Sequence, residues 1–199
     1  RNHQRYVLRL VEKSYKTPVN KISAQTANLQ LQINHPGNLD SLKWKPVTQQ
    51  QPTDNEIQIE VKATGLNFRD VMVALDLYPD DTKFLGLECV GIVTKIGSQV
   101  NTFQVGDEVM AISDSSFSKY LNVNSFLAFR KPESLSFEQA ATIPVTFLTA
   151  YYTLVYLAQL KPGEKILIHS AAGGVGMAAI QIAQNIGAEI YATASTPKW

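Results

Sequence analysis

Apolar residues Leu29, Leu31 and Ile33 alternate with Gln30 and Gln32, the period of two expected of a strand that buries one face of its sheet. The same period returns at Ile57, Ile59 and Val61, set against Glu56, Gln58, Glu60 and Lys62. Turn chemistry separates these runs at His35-Pro36-Gly37-Asn38 and Gln51-Pro52-Thr53-Asp54. A third strand is expected through Glu88-Cys89-Val90-Gly91-Ile92-Val93, continuous rather than alternating, with a turn at Gly97. Gly106-Asp107 marks a further turn before Glu108-Val109-Met110-Ala111, and one more strand, with some irregularity, is expected from Phe117 to Phe129. The first two thirds of the chain therefore predict a mostly antiparallel, barrel-like β domain.

Helical signals enter at two places. Asn67 can cap a free backbone N–H and Asp70, three positions on, suits the positive helix end, which predicts a helix from Phe68 to about Leu75. Ser136-Phe137-Glu138-Gln139 has the form of a capping box. It opens a long uncharged region in which Pro144 is expected to interrupt the helix, followed by a helical run from about Val145 to Leu160 and a turn at Lys161-Pro162-Gly163-Glu164. Gln139 to Leu160 is long enough for a membrane span of about 20 residues. Pro144, the four threonines and Tyr151, Tyr152 and Tyr156 dilute its apolarity, so it is read as a buried helix and no membrane is expected.

Beyond that turn the pattern changes. Lys165-Ile166-Leu167-Ile168-His169 reads as a short buried strand, a glycine cluster follows, Met177 to Ile186 reads as a helix ended by a left-handed Gly187, and Ala188 to Ala194 reads as the next strand. Strand, glycine loop, helix and strand form a βαβ unit, the opening of a doubly wound parallel sheet. The fold class is α/β. A complete sheet of this kind has about six strands, so the chain is expected to be part of a longer polypeptide with an unpaired sheet edge.

Composition narrows the partners. The 199 residues are 45% hydrophobic and 18% charged, with 18 Lys+Arg against 17 Asp+Glu and a net charge of +1, ordinary values for a globular protein. A near-neutral balance without basic clusters argues against nucleic acid or an anionic membrane surface. The single cysteine, Cys89, excludes a disulfide scaffold and a four-cysteine zinc lobe and suits a reducing, cytoplasmic compartment. Arg1 to Lys16 mixes charges through its apolar positions, unlike a secretory signal.

The chemistry is concentrated in Ser170-Ala171-Ala172-Gly173-Gly174-Val175-Gly176, between a strand and a helix. Glycine lets backbone N–H groups approach a pyrophosphate, and the helix N-terminus adds a favourable dipole. Ala171, Gly173 and Gly176 keep the G-x-G-x-x-G spacing with alanine at the first position, so Ala171, Ala172, Gly173, Gly174, Val175 and Gly176 are the expected dinucleotide-binding residues; the alternative is a tight structural turn. No acid that would bond the 2′-OH of NAD follows the second strand. Ser195, Thr196 and Lys198 stand there instead, two hydroxyls and a cation suited to the 2′-phosphate of NADPH; the alternative is a solvated loop. A catalytic zinc is not expected. The only histidines are His3, His35 and His169, Cys89 has no Cys or His close in sequence, and Leu87 follows Gly86 where a zinc enzyme would carry a histidine. Glu88 is read as a buried or paired acid.

Gly65-Leu66-Asn67-Phe68-Arg69-Asp70-Val71, Leu85-Gly86-Leu87-Glu88, Gly106-Asp107-Glu108-Val109-Met110 and the stretch from Ile143 to Tyr152 together resemble the enoyl reductase domain of modular polyketide synthases. The run from His169 to Gln181 and the segment Tyr191-Ala192-Thr193-Ala194-Ser195 strengthen the resemblance, which covers the chain from about Asn28 onward. It implies a zinc-free member of the medium-chain dehydrogenase/reductase superfamily: a GroES-like substrate domain over residues 1–139 and the start of a Rossmann-type NADPH domain over 140–199. The implied reaction is hydride transfer to the β-carbon of an α,β-unsaturated thioester on an acyl carrier protein, then protonation at the α-carbon, among neighbouring synthase domains. The same resemblance singles out Tyr78 as the acid and Asn67 and Thr149 as lining the nicotinamide end. Read locally, Tyr78 packs a loop, Asn67 caps a helix and Thr149 is a hydroxyl inside one. Arg69 and Asp70 are read as pairing structurally. The family's lysine and aspartate proposed as proton donors lie further along than Trp199. Other readings are hydride-triggered cyclopropane formation on a γ-halogenated thioester, a stand-alone quinone or enone reductase, and a non-catalytic nucleotide-binding scaffold.

Overall fold

The structure is a computed structural model that describes residues 28–80 and 82–195. His3, the segment from Arg1 to Lys16, Thr196 and Lys198 lie outside the described residues.

Strands β1 (Asn28–Ile33) and β2 (Leu42–Val47) form an antiparallel hairpin, Asn28 opposite Val47 and Ile33 opposite Leu42. β2 departs from the strands expected from the sequence. It is paired on one side only, which accommodates Pro46 with its missing N–H, and Trp44 on it is exposed, so it carries little of the burial signature of a strand.

The main sheet has five antiparallel strands in the order β6 (Tyr120–Asn124), β3 (Glu56–Thr64), β4 (Glu88–Ile96), β5 (Glu108–Ile112) and β7 (Ala128–Arg130). Ile57, Ile59, Cys89, Val93, Val109, Ala111 and Val123 form its core. The single strand expected from Phe117 to Phe129 is two. Asn124 accepts the N–H of Phe126 and turns the chain through Ser125–Leu127, sending β6 and β7 to opposite edges of the sheet. Gln58 departs from the alternation too, being buried. Its Nε2 donates to Gln50 O and Asn122 Oδ1 while its Oε1 accepts from Gln49 and Thr94, so a satisfied amide replaces an exposed one.

Helix α1 (Phe68–Ala74) follows β3, and α2 (Phe137–Ala140) opens with the capping box: Ser136 accepts from Gln139 N–H while Gln139 accepts from Ser136 N–H. Pro144 does not interrupt a helix but begins one, α3 (Pro144–Tyr151), at the first position, where its missing N–H costs nothing. From Tyr152 to Leu157 the helix widens, with Ala158 N–H reaching Thr153 O. The hydroxyls of Thr149, just before this stretch, and Thr153, within it, return to carbonyls one turn back, a pattern that bends helices. Phe137–Leu157 has the length and apolarity of a membrane span, but it comprises α2, a turn, α3 and the widened stretch after it, and it is not the buried helix expected, since Leu148, Tyr151, Tyr152, Tyr156 and Leu157 are exposed.

β8 (Lys165–Ile168), α4 (Gly174–Ile186) and β9 (Glu189–Ala192) make the βαβ unit, with β8 and β9 parallel and Lys165 opposite Glu189. α4 begins three residues before the expected Met177, because Gly174 and Gly176 are already helical. It ends at Gly187, φ +86°, as expected. Ala150 of α3, Ile168, Ala171, Ala178 and Ala179 pack α4 against α3 and β8.

Candidate functional site

The loop between β8 and α4 is drawn tight by backbone bonds. Gly173 N–H donates to Ser170 O at 2.8 Å, Ala171 N–H donates to Thr193 O at 2.9 Å, and Ser170 takes a positive φ of +51°. A Cβ on Gly176 would lie 2.5 Å from Ser170 O and 2.7 Å from Ala171 Cα, so only glycine lets the first turn of α4 press against the loop. A Cβ on Gly174 would lie 3.2 Å from Thr146 Cγ2 of α3. Gly174, Val175 and Gly176 are the first three residues of α4, whose N–H groups have no partner within the helix. Ala171 is buried, while Gly174 and Val175 face solvent. This cradle fits the pyrophosphate of a dinucleotide: donors at the positive end of a helix, and no side chain to fill the space. Ser195 is exposed beyond β9, on the side where His169 Nδ1 meets Thr193 Oγ1 at 2.9 Å.

A second cluster joins the five-stranded sheet to α3. Glu88, the first residue of β4, is 2% exposed. Its Oε1 accepts from Asn67 Nδ2 at 2.8 Å and its Oε2 accepts from Val145 N–H at 2.9 Å. Burial raises its carboxyl above the usual carboxylate range, an effect the two hydrogen bonds oppose. Asn67 thus turns its amide nitrogen toward β4, and the reciprocal part of the cap comes from Asp70, whose Oδ2 accepts Asn67 N–H at 2.9 Å. Thr149 donates its hydroxyl to Val145 O at 2.7 Å.

Arg69 and Asp70 do not pair with each other. The second carboxylate oxygen of the buried Asp70 accepts Gly86 N–H at 2.7 Å, fixing the loop before β4 to α1. Arg69 points the other way: its guanidinium lies 5.4 Å from the ring centre of the half-buried Tyr78, and Nη1 is 3.9 Å from Asp114. The first turn of α1 thus directs Asn67 toward Glu88 and α3 and Arg69 toward Tyr78. Among the described residues, no three His, Cys, Asp or Glu side chains group as metal ligands. Gly65, Val145 and Thr146 stand in the motifs that carry the family resemblance, but the sequence assigns them no role in the site. Gly65 carries a local signal only in hindsight: a Cβ there would lie 2.3 Å from Glu88 Oε1.

An antiparallel GroES-like β domain leading through α3 into a glycine-looped βαβ unit is the architecture of a medium-chain dehydrogenase/reductase. Residues 53–147 match the family described as the alcohol dehydrogenase GroES-like domain. The chain is 40% identical to a phenolphthiocerol/phthiocerol polyketide synthase of Mycobacterium tuberculosis, across 98% of its own length and 10% of that protein's. Among solved structures it is similar to the CurK enoyl reductase, with 45% identity and a TM-score of 0.83 over 87% of this chain and 56% of that one. It is also similar to an Escherichia coli quinone oxidoreductase solved with NADPH, with 37% identity and a TM-score of 0.75 over 84% of this chain and 53% of that one. The chain belongs to the enoyl reductase domains of polyketide synthases, within the medium-chain dehydrogenase/reductase superfamily of oxidoreductases. It spans 56% of the CurK enoyl reductase chain and a small part of the synthase.

Proposed function

We propose that the domain to which this chain contributes reduces an α,β-unsaturated thioester carried by an acyl carrier protein, using NADPH, in the reducing cytoplasm and beside other synthase domains. The observation that carries the reading is the first turn of α4, held bare by Gly174 and Gly176 and facing Thr146 of the helix that Glu88 ties to Asn67. Residues 1–139 form the substrate side and 140–199 the start of the nucleotide side. Bound NADPH supplies the hydride that adds to the β-carbon. The N–H groups of Gly174, Val175 and Gly176, with Ala171, Ala172 and Gly173 shaping the turn, hold the pyrophosphate. Ser195, Thr196 and Lys198 receive the 2′-phosphate, and Asn67 and Thr149 line the nicotinamide end. As the β-carbon gains hydride, the electron pair moves onto the thioester oxygen as an enolate. The phenol of Tyr78 then gives its proton to the α-carbon and is itself reprotonated from solvent.

Support for the cofactor comes from the related quinone oxidoreductase solved with NADPH. The test is NADPH oxidation at 340 nm by the full polypeptide that carries these residues, with crotonyl-pantetheine as substrate and NADH as control. Turnover that prefers NADPH is expected, and Tyr78→Phe is expected to lower kcat or scramble the α-carbon configuration. Binding of NADPH without oxidation of it by any enoyl thioester would sink the proposal. Oxidation by free quinones alone would mark a quinone reductase instead.

A further inference from the structure

Glu88 has no part in the reduction as written, yet it is the buried acid placed between the two halves of the site. A carboxylate out of water needs donors to replace it, and here they come from two separate units. Asn67 Nδ2 belongs to the cap of α1, and Val145 N–H belongs to α3. Val145 follows Pro144, which has no N–H, so it is the first amide that α3 can present, at the helix end that favours an anion. Gly65 keeps open the space that the carboxylate fills, since a Cβ would fall 2.3 Å from Oε1. On the same turn of α3, Thr146 meets Gly174 of the nucleotide loop.

We propose that Glu88 is a positioning residue, a carboxylate strut that fixes Asn67 relative to α3 and thereby sets the approach of the enoyl group to the dinucleotide; this rests on the reductase reading above. The carboxylate serves both donors at once, one oxygen to each. A glutamine of the same shape offers one acceptor and one N–H₂, so it serves Val145 N–H only if the Asn67 amide turns over to present its oxygen, which takes the Asn67 N–H₂ out of the direction the carboxylate gives it. The fold survives that change, which also removes a buried charge. The geometry does not, and small misplacements of reacting groups are costly in rate.

The test uses the full polypeptide and compares wild type with Glu88→Gln. Glu88→Gln is expected to lower kcat about tenfold while the KM for NADPH changes less than about threefold, with a cooperative melt retained. An unchanged kcat in a folded Glu88→Gln protein, or a KM for NADPH that rises as steeply as kcat falls, overturns the strut while leaving the reductase reading in place. A wild-type protein that turns over no enoyl thioester removes the reductase reading and the strut with it.

Discussion

Replacing Gly176 with alanine separates a phosphate cradle from a merely tight turn. The added Cβ would lie 2.5 Å from Ser170 O, 2.7 Å from Ala171 Cα and 2.8 Å from Ala171 O, all backbone atoms that no rotamer change can move aside. Restoring ordinary contact requires α4 to withdraw from the loop by about 1 Å. In a helix, alanine is favoured over glycine by about 1 kcal/mol, whereas overpacking costs about 1–3 kcal/mol. The net loss of stability is therefore at most about 2 kcal/mol, a drop of no more than several degrees in Tm. The effect on binding is larger in kind. The withdrawal carries the N–H groups of Gly174, Val175 and Gly176 out of reach of a pyrophosphate, and one charge-assisted bond is worth about 1.5–3 kcal/mol. At 1.4 kcal/mol per decade, the Kd for NADPH, read by fluorescence titration, is expected to rise by about tenfold or more. Gly163→Ala is the control: its Cβ would meet open space but its φ is +79°, so it strains the backbone far from the loop and leaves the Kd unchanged. A folded Gly176→Ala protein that binds NADPH within about twofold of wild type would refute the reasoning.

Asp70→Asn places an amide N–H₂ against either Gly86 N–H or Asn67 N–H, both now bonded to the buried carboxylate; an unfolding midpoint in urea lowered by the equivalent of about 2 kcal/mol is expected. Burial beside the Glu88 carboxylate pushes the Cys89 thiol up to about 12, so a thiol reagent at pH 8 is expected to label it only after denaturation. Glu88 is raised chiefly by burial, so its folded pKa exceeds its unfolded value. Its contribution to stability is then complete below the ordinary carboxylate range and is lost as the pH rises through the folded value. The difference in Tm between wild type and Glu88→Gln is expected to shift against wild type as the pH goes from about 4 to neutrality, and a pH-independent difference would contradict this.

The elements legible in the sequence are those whose cause is local. The Ile57 and Ile59 alternation, the capping box at Ser136 and Gln139, and Gly187 after α4 each work through neighbours within a few residues, and each stands where it was expected. β2 was missed because its burial is slight and its partner is β1 alone. The division of β6 from β7 was missed because apolar content continues through Phe126, Leu127 and Phe129. What separates them is a tertiary fact, the pairing of one with β3 and the other with β5. The site divides the same way. The glycine loop announces itself through spacing, whereas Glu88 bonds partners 21 positions before it and 57 positions after it, a separation over which no pattern in the chain repeats.

The threonines in and beside α3 show what local reading and geometry yield together. Thr146 and Thr149 lie in α3, Thr142 in the turn before it and Thr153 in the widened stretch after it, at spacings of four, three and four. Each hydroxyl donates its proton to a carbonyl one turn back. Their only O–H donors are therefore spent on the backbone, and what they present outward is methyl groups and oxygen lone pairs. Thr146 does meet Gly174 through its methyl. It follows that Thr149, if it lies against the nicotinamide as proposed, acts there as an acceptor for the carboxamide N–H₂ and not as a donor to its oxygen. A hydroxyl already bonded to a carbonyl has little freedom to turn, so the helix backbone, tied through Val145 to Glu88, sets the direction of that lone pair. The same few contacts that join the β domain to α3 thus orient the groups expected around the reacting ring.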